Sequence, residues 1–318
     1  MVPLGEDRFS GTQLYAGTVG FEIVMTDLSV GLRACGTMSP ENVVLGLVVD
    51  SEDRITHWQR DVYPGDLIVV PPGANQDTVQ RGAGSYAALA LSPSDLAAAF
   101  GTEHALGDPA FWSRKHVMRA GSRLEAMISA ARLVGTISEF FRVHRELSPQ
   151  TADFWRRSIV EVFVSSVLNA VPSGESNPFC TSTRLVREVE RYVDERCARP
   201  VHVSEICCGL GVARRSLHRA FDDVLGIGLV AYFRNKRLAG VRAALRRAAG
   251  QKGISVTQIA LDHGFTELGR FSRRYRELFG ELPSQTLRLG DGEADKAAGL
   301  GDVSAISWPD DGQSACIQ

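Results

Sequence analysis

The 318-residue chain has no CxxC pair and no HxH pair. Its six cysteines are Cys35, Cys180, Cys197, Cys207, Cys208 and Cys316. They match neither zinc-ribbon nor dithiol redox spacing, so reduced thiols in a cytosolic protein are expected. Adjacent Cys207 and Cys208 read as small helix residues rather than as a redox switch. No apolar run approaches the ~20 residues of a membrane helix. The opening MVPLGEDRFSG lacks the basic start and apolar core of a signal peptide. A cytoplasmic protein with no membrane partner is therefore expected. The chain is long enough for two domains.

Charge of one sign is missing overall but not locally. The formal net charge is −2. Residues 181–289 hold 20 Lys and Arg against 11 Asp and Glu, a net of +9. Residues 1–180 carry −6 and residues 290–318 carry −5. A one-signed excess confined to one region is the footprint of a surface that meets phosphates.

That basic region contains one pattern written twice. The copies are VSEICCGLGVARRSLHRAFDDVLG, Val203 to Gly226, and VTQIALDHGFTELGRFSRRYRELFG, Val256 to Gly280. In each, a Val precedes an inner Gly (Gly211 or Gly264) by eight residues, and an apolar anchor follows (Leu217 or Phe271). An aromatic stands four residues after the anchor, Phe221 or Tyr275, and a closing Gly nine after it. Anchor and aromatic share one helical face. A helix ending at glycine and followed by a second helix predicts a helix-turn-helix in each copy. Arg214, Arg215, His218 and Arg219 then face outward in the first. Arg270, Arg273, Arg274 and Arg276 are spread around the helix in the second. Arg219 and Arg273 occupy the same place in the repeat. An arginine-rich helix, Leu229 to Ala249, should join the copies. Ser255 and Gln258 spell a capping box at the second, whereas His202 is a weaker cap for the first. Residues 282–287 read as a short closing helix.

Ahead of this, residues 1 to about 110 read as short strands between Gly, Pro and Asp turns, a small antiparallel barrel or sandwich. Residues 21–25, 42–49, 66–70 and 86–91 are the clearest strands. The turn, strand and Pro-Pro-Gly sequence around Asp66–Val70 resembles cupin-type barrels. His57 stands alone, without the convergent ligands of a metal site; no metal, cofactor or catalytic residue is assigned. His57, Trp58 and Arg60 are candidates for an effector pocket, with Trp58 as ordinary packing the competing reading. Ser94 to Phe100 reads as a short helix. Ser122 to Glu146, opening on a Ser122/Glu125 capping box, and Thr151 to Val171 read as a helical hairpin. That hairpin either covers the barrel or forms a dimer seam. The expected division is a regulatory or dimerisation domain over 1–171, a linker over 172–182, a DNA-binding domain over 183–289, and a disordered acidic tail over 290–318. The fold class is α+β, the strand-rich half followed by an all-α domain.

The region from Arg184 to Arg288 resembles the DNA-binding domain of AraC-family transcription regulators. The resemblance rests on the paired units, the basic linking helix with Tyr232 and Arg237, the segment IALDHGF, and the ending FGELPSQTLR. It implies that the second helix of each unit enters a major groove, and that one chain reads two successive grooves. Arg215, His218 and Arg219, with Arg270 and Arg273, are expected at base edges, and Leu268 and Gly269 close to bases or backbone. Arg214, Arg274 and Arg237 are expected at phosphates or fixing helices. The implied protein is a nucleoid-associated regulator, more often an activator. Its partners would be promoter DNA, RNA polymerase, a small-molecule effector and a second copy of the chain. Two departures stand out: Gly269 opens the second reading helix, and His202 replaces the usual Ser or Thr. A cupin-type metalloenzyme with an attached basic domain is the alternative, and a module whose front half only dimerises is a third.

Overall fold

A computed structural model describes residues 1–288 except 6–7, 19–20, 101–106, 115, 123–127, 129, 137–148, 169, 173–179, 197–200, 250 and 252, together with 300–301 and 305–307. The chain is α+β. Its front half is built from two sheets. One has five strands in the order β1 (Val2–Leu4), β4 (Gly31–Thr37), β9 (Asn75–Gln80), β6 (Ile55–His57) and β7 (Arg60–Val62). The other runs β12 (Ala170–Pro172), β11 (His116–Ala120), β8 (Leu67–Val70), β5 (Val43–Ser51), β10 (Gly84–Leu91), β3 (Phe21–Leu28) and β2 (Gly11–Thr18). The pairings among these strands are antiparallel.

Strand β8 explains why this half needs two layers against the large sheet. All four of its residues are buried. Leu67 and Val69 belong to a core with Phe21, Ile23, Leu45, Leu89 and the helix α2 (Pro149–Leu168). Ile68 and Val70 belong to a second core with Ile55 and Val62 of the small sheet. Successive side chains of a strand point to opposite faces, so a continuous apolar run demands cover on both. Helix α1 (Pro93–Phe100) places Leu96 and Ala97 in the first core. Residues 130–136 are helical and bury Ala130 and Leu133; the rest of the expected 122–146 helix, with its Ser122/Glu125 box and the hairpin turn, falls largely outside the described residues.

The basic half is helical. Helix α3 (Cys180–Asp194) begins within the expected linker, two residues before its end at Ser182. Then come α4 (Val203–Leu210), α5 (Arg214–Leu225), the long α6 (Leu229–Arg247), α7 (Val256–Asp262) and α8 (Leu268–Phe279), with residues 283–288 closing as a helix. The repeat is exact in its punctuation. Gly211 and Gly264 lie at φ 64° and 77°, and Gly226 and Gly280 at 70° and 72°. These left-handed conformations are strained for any residue with a Cβ.

The two units own separate cores that share α6. Leu217, Phe221 and Leu225 pack with Leu229 and Tyr232 from its first turns. Phe271, Tyr275 and Phe279 pack with Leu238, Val241 and Leu245 from its later turns. A buried ion pair, Arg242 Nε to Glu281 Oε1 at 3.2 Å, and a Tyr275–Thr286 hydroxyl contact at 2.8 Å tie the second unit further.

The caps reverse the sequence expectation. His202 Nδ1 accepts from the Ser204 N–H at 3.3 Å, and Glu205 Oε1 accepts from the His202 N–H at 3.2 Å, so the reciprocal box closes on the first unit. In the second, Ser255 Oγ accepts from the Thr257 N–H, but Gln258 reaches forward to Asp262 at 2.7 Å. An imidazole nitrogen can accept where a hydroxyl usually does, and a glutamine with an Asp one turn away has a competing partner. Residues 300–301 and 305–307 pair in parallel with β2, and the rest of the expected tail lies outside the described residues.

The front half packs directly on the first unit. Val2, Leu4 and Val79 join its core. Arg33, only 4% exposed, bridges Asp77 of its own sheet and Glu190 of α3, the latter at 3.1 Å. The Tyr232 hydroxyl donates to Glu190 as well, and Arg187 pairs with Asp77. Burial alone would raise the Glu190 carboxyl. The Arg33 charge and hydrogen bonds from Arg33 and Tyr232 outweigh it and hold the group below the usual carboxylate range.

Two outcomes follow. Glu190 contributes stability that is fully present above its ordinary value of 4.5 and is lost as pH falls through its lower folded value. Glu190→Gln should flatten the acid limb of a stability-versus-pH curve; an acid limb identical to wild type would contradict the coupling. A Cβ at Gly269 meets nothing within 4 Å, and its backbone is helical. Gly269→Ala should therefore stabilise by about 0.5 kcal/mol, read as a raised Tm; a lowered Tm would show an unseen constraint there.

Candidate nucleic-acid interface

The second helix of each unit, α5 or α8, buries the face that carries its anchor and exposes the opposite one. In α5, Leu217, Ala220, Phe221 and Leu225 are buried while Arg214, Arg215, His218 and Arg219 are exposed. In α8, Phe271, Tyr275, Leu278 and Phe279 are buried while Gly269, Arg270 and Arg273 are exposed. Neither helix has a side-chain cap at its start, at Ala213 or Glu267, so first-turn N–H groups are left to solvent or to an anion.

The matched arginines are held in matched ways. Arg219 lies 3.5 Å from Asp223, and Arg273 lies 2.9 Å from Glu277, each one turn on. Their side chains are 81% and 79% exposed. Exposed pairs of this kind are worth little and are screened by salt. They leave the guanidinium able to exchange its carboxylate for another acceptor. The Arg273 hydrogen bond, with the charges of Arg273 and Arg274, keeps the Glu277 carboxyl below its ordinary range. Arg270 reaches back to Glu267 at 3.7 Å. Asp223 and Glu277 were legible in the sequence as residues one turn after a repeated arginine, but nothing in the sequence alone singled them out.

Three of the expected residues differ from this exposed set. Arg274 is half-buried and shares Glu277 at 3.3 Å. Arg237 lies on α6, its guanidinium 5.1 Å from the Phe265 ring centroid, and burial lowers its pKa. That position suits fixing α6 to the second unit rather than reaching outward. Leu268 packs against the second core, so Gly269 is the more open of the pair.

The front-half candidates stand on another hairpin. Trp58 and Gln59 form its two-residue turn, with φ of 46° and 68°, the signature of a type I′ connection. The Trp58 indole N–H donates to the Asn75 carbonyl at 2.8 Å. His57 is buried, with Nδ1 2.5 Å from Thr78 Oγ1. Arg60 is half-buried opposite His57 in the β6–β7 pair. An open groove of about 450 Å³ lies elsewhere, between α1 and α2, lined by Leu91, Asp95, Arg156, Arg157, Val160 and Glu161 among others. None of His57, Trp58 and Arg60 lines it. Among the described residues no cluster of His, Cys, Asp and Glu could hold a metal ion, and no helix is long and apolar enough to cross a membrane.

Residues 206–289 match a family model described as a helix-turn-helix domain. The XylDLEGF operon transcriptional activator 2 of Pseudomonas putida is 32% identical over 130 residues, which cover 41% of this chain and 82% of that protein. A longer relative from the same organism, the XylDLEGF operon transcriptional activator, is 30% identical over 179 residues. The chain spans about half the length of that relative, 54%. A solved structure of a probable AraC family transcriptional regulator from Rhodopseudomonas palustris CGA009 is 35% identical, covering 33% of this chain and 94% of that one, with a TM-score of 0.30. With two helix-turn-helix units on a shared helix and a similar activator matched over most of its length, the chain belongs to the AraC family of transcription regulators.

Proposed function

We propose that the chain is a sequence-specific regulator, of the activating kind, whose reading helices α5 and α8 enter two successive major grooves of promoter DNA. The observation that carries this is the equivalence of Arg219 and Arg273: same place in the repeat, same carboxylate clip, same exposure. Arginine can bind guanine with two parallel hydrogen bonds. Arg215, His218 and Arg270 are the further base-edge candidates, with Gly269 and Leu268 beside them, and Arg214 and Arg274 at phosphates. A helix shared by both cores holds the units in one body, and reading helices about 34 Å apart would meet grooves one turn apart. Operon activation in the relatives supports regulation over the metalloenzyme alternative.

The division we favour is a cupin-like regulatory and dimerisation half over 1–171, a linker over 172–182, the DNA-binding half over 183–289 and an acidic tail. Control by a small-molecule effector, contact with RNA polymerase, pairing of two chains and a place on the nucleoid belong to the same proposal.

Selection of bound duplexes from random DNA, followed by footprinting, would define the site. On it, Arg219→Ala and Arg273→Ala should each weaken binding by ~1–3 kcal/mol and relax base preference within one box. Equal affinity of both variants and wild type would sink the assignment. Affinity should also fall by on the order of 10³ between 50 and 200 mM salt; a flat response would remove the basic face as the DNA surface.

A further inference from the structure

The front half touches both helix-turn-helix units, and it does so at equivalent places. At the first, Arg81 donates to the last carbonyls of α5, those of Asp222 at 3.4 Å and Asp223 at 3.5 Å. At the second, the Phe9 N–H donates to the Leu278 carbonyl at the end of α8, at 2.9 Å. The neighbouring Arg8 guanidinium lies against Gly280 and fills the place a Cβ would take. A cation at the end of each reading helix complements the partial negative charge of that end. Between these two points the chain's first strand follows α6. Asn235, buried in that helix, donates from Nδ2 to the carbonyls of Pro3 at 3.2 Å and Gly5 at 2.9 Å.

We propose that this docked front half is a brace, which sets the spacing and tilt of α5 and α8 in the form of the protein that binds DNA. Arg81 and Asn235 are then positioning residues for DNA reading. The contacts fall on the C-terminal ends of the reading helices and on the linking helix, whereas the candidate base-reading side chains stay open. Arg219 and Arg273 keep 81% and 79% of their surface with the front half in place. A front half that worked by covering the reading surface would bury those groups. The second unit has the greater need of a brace, because the reciprocal cap closes only on the first. This inference rests on the two-groove reading above.

The test uses the full chain as wild type, Arg81→Ala, Asn235→Ala and the double variant. Each is titrated by fluorescence anisotropy on the selected two-box duplex, on duplexes with the boxes one or two base pairs closer or farther apart, and on a single-box duplex. Asn235→Ala changes no charge, so it separates bracing from any direct phosphate contact of Arg81. Wild type should show a sharp spacing optimum. The variants should lose about tenfold at that optimum, with a flatter spacing profile and a loss of less than about twofold on the single box. A uniform loss on every duplex would indicate damage to the fold and overturn the brace, as would profiles that match wild type. Tighter binding by the variants at the optimum would overturn it in the other direction, making the docked half inhibitory. A wild type that binds one box as well as two would instead remove the two-groove reading, and the brace with it.

Discussion

Everything in the basic half depends on one helix serving two cores. Tyr232 at the start of α6 is buried with Phe221, and Val241 and Leu245 toward its end are buried with Phe271 and Tyr275. A helix of this kind cannot rotate in one unit without stripping contacts from the other. Interiors are packed closely enough that such a slip is felt by both sides. The buried Arg242–Glu281 pair adds a directional contact, and each of those charges is costly to leave alone. The two motifs thus become one body with two exposed basic faces.

The same helix carries the junction with the front half. Tyr232 donates to Glu190, which Arg33 of the front sheet also holds, and Asn235 takes two carbonyls of the first strand. Along α6, apolar side chains fill the cores of both units, Asn235 faces the first strand, and Arg242 turns to the second unit. Buried charge is a weak source of stability but a strong source of geometry, since misplacing either partner strands the other. The short exposed clips on Arg219 and Arg273 are the opposite case. They sit on the outer face, where solvent screens them.

Much of this was legible in the residues. The repeat, its four glycines and its anchor-aromatic pairs locate both helix-turn-helix units, because each feature is local and is dictated by helix periodicity or by a backbone angle. The central strands β3, β5, β8 and β10 were legible for the same reason, as apolar runs between turns. The strands β2, β4, β6, β7, β9 and β11 were not, being polar or short, with burial decided by which sheet they edge. His202 closes a box with Glu205 while Gln258 turns to Asp262, because a cap depends on which partner lies in reach.

The sequence by itself determined the local and periodic features: two basic helix-turn-helix units, the amphipathic linking helix, a strand-rich front, and arginines repeated at one position. Tertiary structure alone decided which groups meet across long separations. Arg33 and Glu190, Arg81 and the end of α5, and Phe9 and the end of α8 are brought together by sheet order and by the way the first strand lies along α6. No periodicity in the chain encodes such meetings, since loop closure over hundreds of residues carries no local signature. They exist because two apolar surfaces found a common partner in one helix, and the charges at their borders had to be satisfied where the packing left them.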